Sequence, residues 1–140
     1  MSGDNNARAE VGKFGEKAAA AYLRKKGYRI VGQNERAGRK EIDLVAGKRD
    51  LLVFIEVKTR TKNEQNEIIY GSAASAVTEK KQSFLRSAAR SYLSRHPSDK
   101  RIRFDVIEVY VTPRPRGVFG RLFRLTPYAV HTISQIENAF

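Results

Sequence analysis

Leu51-Leu52-Val53-Phe54-Ile55-Glu56-Val57-Lys58 is the stretch whose reading decides the fold. Its opening residues are apolar on both faces of an extended chain, the pattern of a central strand covered on each side. Charge then arrives at Glu56 and Lys58, so the end of this strand must leave the core or line a site. Just upstream, Glu41-Ile42-Asp43-Leu44-Val45-Ala46 alternates, with Ile42, Leu44 and Ala46 on one face and Glu41, Asp43 and Val45 on the other. Gly47 to Asp50 reads as a tight turn, which makes the two strands a hairpin.

Upstream of the hairpin, residues 12–26 read as a helix, because Phe14, Ala18, Ala19, Tyr22 and Leu23 form one stripe at helical spacing. Gly27 follows the basic turn Arg24-Lys25-Lys26 and marks the helix stop. Tyr28 to Asn34 reads as a first strand and residues 35–40 as a charged turn. Downstream, the polar segment 59–75 reads as a mobile loop. Thr78 then caps a second helix that runs to about Arg95, with Phe84, Leu85, Ala88, Ala89, Tyr92 and Leu93 as its buried face. Arg103 to Thr112 is a fourth strand. Residues 113–124, with four arginines and no acid, form a basic loop, and a last short strand covers Leu122 to Thr126 or Val130 to Ile133. The expected class is mixed α/β, a small sheet flanked by helices in the order α-β-β-β-α-β with room for a C-terminal strand. Residues 1–10 read as a disordered lead-in and 11–140 as one domain.

Composition narrows the function classes. Lys and Arg number 27 against 15 acids, a formal charge of +12 on 140 residues. Such an excess attracts polyanions, phosphate backbones first among them, although a merely soluble basic protein has the same balance. There is no cysteine, hence no disulfide framework and no thiolate metal site. No apolar run approaches the roughly 20 residues that span a bilayer. A cytoplasmic protein with no membrane partner is expected. No Walker-type loop and no G-x-G-x-x-G are present, so nucleotide hydrolysis is unsupported.

The chemistry concentrates on Asp43, Glu56 and Lys58. Residues two apart on a strand share a face, so Glu56 and Lys58 point the same way. If register brings Asp43 beside them, two carboxylates and an ammonium meet at one sheet end. Such carboxylates repel each other, and a hard divalent cation, Mg²⁺ or Mn²⁺, is their natural partner together with substrate phosphate. Lys58 could orient a water, stabilise charge on phosphorus oxygens, or act as a base if its pKa were depressed. The bland alternative is an exposed Glu56–Lys58 pair with Asp43 as a turn-side charge.

These residues resemble the PD-(D/E)xK nuclease signature, with Asp43 on one strand and Glu56-Val57-Lys58 on the next. Gly15-Glu16-Lys17-Ala18-Ala19, Lys40-Glu41-Ile42-Asp43-Leu44-Val45-Ala46 and Val53 to Arg60 further resemble the bacterial YraN family. So do Tyr70-Gly71-Ser72-Ala73-Ala74, Ala76-Val77-Thr78, Lys80-Lys81-Gln82, Arg103-Phe104-Asp105-Val106 and Asn138-Ala139-Phe140. The resemblance covers residue 12 onward and implies a restriction-endonuclease-like fold, similar to Holliday-junction resolvases. It implies a metal-dependent endonuclease acting on structured or branched DNA in repair or recombination. It also implies metal ligation by Asp43, Glu56, the Val57 backbone carbonyl and Glu16. Glu16 lies at the border of the helix stripe, where a solvated position paired with a lysine is equally open. Arg36, Arg39, Lys40, Arg60, Lys62, Lys80 and Lys81 are the expected backbone contacts. Lys81 could alternatively snorkel over apolar surface. Lys40 stands where the family usually has Gly, and segment 113–124 is longer than usual. Symmetric cleavage of a junction would need a homodimer. The rival reading is a non-catalytic nucleic-acid-binding protein on the same fold.

Overall fold

The computed structural model describes residues 2–62, 77–114 and 128–140. Its elements are α1 (Ser2–Lys25), β1 (Arg29–Ala37), β2 (Lys40–Lys48), β3 (Leu51–Thr61), α2 (Glu79–Arg95), β4 (Arg101–Pro113) and β5 (Tyr128–Ile136). The five strands form one sheet in chain order. β3 and β4 are parallel, joined through α2, and the other neighbours are antiparallel. The mixed α/β class and the further C-terminal strand are therefore as expected. That strand is longer than Val130–Ile133, and the alternative at Leu122–Thr126 lies outside the described residues. Most of the expected loop 59–75 and basic segment 113–124 also lies outside them, since β3 continues to Thr61 and β4 to Pro113. No helix among the described residues is long and apolar enough to cross a membrane.

α1 covers one face of the sheet. Ala19, Ala20 and Leu23 are buried against Leu44, Ala46, Val53, Ile55, Ile107, Val109 and Val111. The helix ends as its sequence implies. Gly27 adopts φ 89°, its N–H bonds to the Arg24 carbonyl at 3.0 Å, and the Tyr28 N–H bonds to that of Leu23 at 3.0 Å. These two bonds satisfy carbonyls that the last turn would leave open. At its other end α1 departs from expectation, because the residues read as a disordered lead-in are helical from Ser2. Ala7, Ala9 and Glu10 are good helix formers that continue the packed turns although they are exposed themselves.

α2 covers the opposite face over β1 and β2, where Ala88, Ala89 and Tyr92 meet Ile42, Val45, Leu52 and Phe54. The Thr78 hydroxyl accepts the Lys81 N–H at 3.2 Å, the expected N-cap. Ile42 thus lies opposite to its expected face. Leu44 and Ala46 face α1, yet Ile42 packs with Val45 toward α2. β2 pairs with β3 only from Lys48 back to Leu44, and Asn34 on β1, beside the break, has φ 49°. The alternation slips there, at Asp43. β1 also runs further than expected, to Ala37, because Glu35 and Arg36 pair with Ile42 and Glu41 across a two-residue turn at Gly38-Arg39.

The far end of β4 is tied by a charge cluster. Asp105 is 0% exposed and accepts from Arg103 Nε (2.8 Å) and Nη2 (2.7 Å), Gln135 Nε2 (2.8 Å) and the Asn138 N–H (3.0 Å). Arg103 also donates to the Tyr28 hydroxyl at 2.9 Å. The following residues fold back on β4, with Ala139 N–H on the Phe104 carbonyl at 2.8 Å and the Phe140 ring stacked on Phe104 at 5.1 Å. Asp105 therefore knits β4, β5, the α1–β1 junction and the closing residues together. Asp105→Ala would remove the buried acceptor of Arg103, leaving it the half-exposed Glu137 and the Tyr28 hydroxyl, and breaking a buried pair from one side costs about 3–5 kcal/mol. Urea unfolding of Asp105→Ala is expected to show a loss of that size, with Asp105→Asn losing less.

Candidate functional site

Where β2 and β3 part beyond the Leu44–Ile55 pair, the start of α2 overhangs the gap and an open cleft of about 440 Å³ results. Glu41, Asp43 and Glu56 supply its carboxylates, Arg39, Lys40, Lys80 and Lys81 its cations, and Thr78, Phe84 and Leu85 complete the wall. Asp43 and Glu56 both line this cleft although the β2–β3 register ends at Leu44 and Ile55, and neither Lys58 nor Glu16 is among its lining residues.

Asp43 has two duties here. Its Oδ2 accepts the Val57 N–H at 2.8 Å, which replaces the strand partner that β3 loses where β2 bends away. Burial, then the neighbouring Glu56 charge, push its pKa up from an ordinary 3.8 to about 7, against the lowering effect of the Val57 hydrogen bond. A carboxylate so placed favours any added positive charge. Glu56 is 9% exposed and forms an ion pair with Lys81. Lys81 thus points at the sheet end, as its helix face implied, and meets a carboxylate there. Val57 contributes its N–H to Asp43.

Lys58 follows on the same face of β3, half-buried and in register with Glu108 of β4. Its pKa is lowered, chiefly by burial and then by the charges of Lys81 and Arg60, while Glu56 and Glu108 act to raise it. Glu108 is itself buried and accepts the Tyr110 hydroxyl at 2.7 Å.

Glu16 approaches from α1. Gly15 makes this possible, since a Cβ there would sit 1.8 Å from the Thr59 Oγ1. The helix therefore lies directly on β3 one residue before Glu16. With its amide nitrogen turned to the carboxylates, Asn34 donates to Glu41 Oε1 at 2.7 Å and Glu16 Oε2 at 3.1 Å. The Glu16 pKa is raised, mainly by burial, with Glu41 and Glu56 adding to it and Asn34 opposing it. Among the described residues no group of three or more His, Asp or Glu is arranged to hold a metal ion. The carboxylates at the cleft are Glu41, Asp43 and Glu56, and Asn34 links Glu16 to Glu41.

The expected backbone contacts divide. Arg39, Lys40, Lys80 and Lys81 gather at the cleft. Arg36, Arg60 and Lys62 are not among its lining. The Arg36 carbonyl accepts from Arg95 at 3.0 Å, and the Lys62 ammonium lies 4.7 Å from the Tyr110 ring centre. Sequence reasoning missed Glu41, Phe84, Glu108 and Tyr110. The available signal for Glu108 was the one used for Asp43, an acid within an otherwise apolar strand. For Phe84 there was none, since helical spacing assigned it to the buried face.

A family model described as "Uncharacterised protein family UPF0102" matches residues 15–109. That is the family to which the YraN resemblance pointed. Curated relatives carry the same description. A UPF0102 protein of Pelotomaculum thermopropionicum is 44% identical over 136 residues, 96% of this chain and 98% of its own length. One from Phocaeicola vulgatus is 40% identical over 94% of this chain and 92% of its own. One from Chlorobium phaeobacteroides is 46% identical over 79% and 84% respectively. The family match spans Glu16 to Glu108, and so contains every carboxylate placed at the cleft.

The raised Asp43 pKa has a consequence for stability. Between about pH 4 and 7 the folded chain holds a proton that the unfolded chain has released, so stability falls as pH rises through that window, and above it the penalty is complete. Asp43→Asn keeps an acceptor for Val57 and removes the charge. Its thermal midpoint is expected to exceed that of the parent by several degrees at pH 8, with the gain shrinking toward pH 5, as read by scanning calorimetry. Lys81→Ala, which leaves Glu56 without its ammonium, is expected to lower the midpoint at pH 8.

Proposed function

The chain belongs to the uncharacterised protein family UPF0102, and from that membership and the cleft we propose a metal-dependent endonuclease that hydrolyses phosphodiester bonds in structured or branched DNA. One observation carries the reading: Asp43 and Glu56 line a single open cleft ringed by four cations, in a chain of charge +12. Paired carboxylates call for a cation, the basic rim for phosphate, and phosphodiester hydrolysis needs both. The restriction-endonuclease-like reading of the sheet and its Asp43/Glu56-x-Lys58 pattern belong to the same proposal.

The donor set suits Mg²⁺ or Mn²⁺. It is all oxygen, it opens to solvent, and the burial and Glu56 repulsion that together push Asp43 up to about 7 would be offset by a divalent charge. Asp43, Glu56 and the Val57 carbonyl would hold the ion, and Glu16 would assist from behind. When bound, such an ion supplies a low-pKa water and charge on the phosphoryl oxygens. The protein's own groups do the rest. Lys81 exchanges Glu56 for a phosphate oxygen as substrate arrives. Lys58, in reach of the same face, orients the attacking water or steadies the charge that grows on phosphorus as the bond to the leaving oxygen breaks. Arg39, Lys40 and Lys80 hold the flanking backbone, with Arg36, Arg60 and Lys62 as outlying contacts. Symmetric cutting of a junction would take two copies of the chain.

The second reading, a non-catalytic nucleic-acid-binding protein, is favoured by one contact: Glu56 is ion-paired with Lys81, which competes for the oxygen a metal would take.

Incubation with linear, flapped, branched and single-stranded DNA, with and without Mg²⁺ or Mn²⁺, separates the two. Cleavage is expected only with metal, and Asp43→Asn and Glu56→Gln are each expected to lower it by at least about 100-fold while remaining folded, the scale set by losing a group that acts in the transition state. Undiminished cleavage by both variants would sink the nuclease reading; salt-sensitive binding without cleavage by the parent chain would favour the second. Mn²⁺ is expected to raise the thermal midpoint of the parent chain, and Asp43→Ala is expected to abolish that rise.

A further inference from the structure

Among the described residues, Phe84 is the aromatic group in the cleft lining, and hydrolysis does not use it. Phe84 is partly exposed and lines the cleft beside the carboxylates. α2 does not need it for anchorage, since Leu85, Ala88, Ala89 and Tyr92 are the buried residues of that helix. Phe84 belongs to none of the core clusters formed by the described residues. Its ring is instead dressed with cations. The Lys40 ammonium lies 3.8 Å from the ring centre and that of Lys80 lies 5.9 Å away. A ring at the cleft wall, outside those clusters and flanked by ammonium groups, is placed to offer its π-face to a flat ligand that enters the cleft.

We propose that Phe84 is a stacking platform for an unpaired nucleobase beside the Asp43–Glu56 pair, so that the cleft takes a single-stranded nucleotide in preference to a paired one. This presupposes the phosphodiester reading of the same cleft and names its substrate class. An aromatic face next to ammonium groups matches the two halves of a nucleotide, a π-face and a phosphate. Every base has such a face, so recognition is tolerant of sequence. In a duplex both faces of a base are already stacked on neighbours, and only splayed or unpaired bases offer one to a side chain. The cavity of about 440 Å³ lies within the range of small-molecule sites. Lys40 covers the ring in the free chain. An exposed cation–π contact is weak, and a phosphate offers the ammonium a full negative charge. Lys40 therefore moves to the backbone as the base takes the ring face.

The chain has no tryptophan, so Phe84→Trp introduces a single fluorescent reporter at the proposed platform. Full-length Phe84→Trp is titrated in EDTA at fixed salt with oligothymidylate and with a duplex of equal length, while anisotropy of labelled DNA records binding. Tryptophan emission is expected to be quenched at saturation by the single strand and far less by the duplex. Phe84→Leu, which keeps an apolar side chain and removes the π-face, is expected to weaken single-strand binding by about 5- to 150-fold, the usual worth of one stacked base, with duplex binding nearly unchanged. Bound single strand without quenching, or equal losses on both DNAs in Phe84→Leu, overturns the platform and leaves the nuclease reading standing. Failure of the parent chain to bind either DNA, in EDTA and again with Ca²⁺ in place of Mg²⁺, removes both. Quenching and selective loss in a protein that never cleaves remove only the hydrolytic reading.

Discussion

The Val57 N–H bound to Asp43 Oδ2 at 2.8 Å is the contact on which the site depends. A sheet can open at one end only if the backbone groups freed by the opening find other partners, since a buried N–H left unpaired costs roughly 1–3 kcal/mol. The ladder between β2 and β3 ends at Leu44 and Ile55, and Asp43 supplies with its side chain the acceptor that the bending strand withdraws. The break lets the charged ends of both strands diverge, and the cleft occupies the gap beneath α2. Asp43 is thus the hinge of the backbone geometry as well as its most stressed charge.

Two buried acids of this sheet show how environment separates structure from chemistry. Asp105 is fully enclosed, and guanidinium, amide and backbone donors surround it. Asp43 has one backbone donor, a second carboxylate beside it and a pKa pushed up to about 7. The first arrangement ties elements together; the second holds unrelieved charge and is stable only because the remainder of the sheet supports it. Strain of this kind marks functional sites more often than structural ones. The Gly15 contact with Thr59 adds to this account, because a helix seated so closely on β3 brings a further carboxylate, Glu16, to the same region.

Much of this was legible in local pattern. The helix stop at Gly27, the cap at Thr78, the central character of Leu51 to Ile55 and the charged end at Glu56 each follow from residues within a few positions of one another. Features set by pairing were not. The charged residues Glu35 and Arg36 look like a turn until β2 is placed beside them. The face of Ile42 depends on a slip at Asp43 that no alternation reveals. Asp43, Asp105 and Glu108 are indistinguishable as acids in apolar strands, and only their neighbours across the sheet sort them. Phe84 sits at the right helical spacing for burial, but the first turns of α2 overhang the cleft, so the same spacing leaves it at the surface. The helicity of the first ten residues was hidden for the opposite reason, since nothing apolar in them announces a packed face.

The charge balance of the cleft differs from that of the chain. Overall the protein carries +12, yet at the cleft four cations face three carboxylates, and three of those cations are already engaged, Lys81 with Glu56 and Lys40 and Lys80 with the Phe84 ring. Under the proposed nucleic-acid reading, long-range attraction to the polyanion would come from basic residues elsewhere, through a field that salt screens over about 10 Å at 0.1 M. The cleft itself adds little to that pull. What it offers is a set of exchangeable contacts in which each internal partner can be traded for one supplied by a ligand. Such a site discriminates by geometry, because a ligand that cannot replace both partners together gains nothing from displacing one. Under that proposal, affinity and selectivity would fall to different parts of one small basic fold.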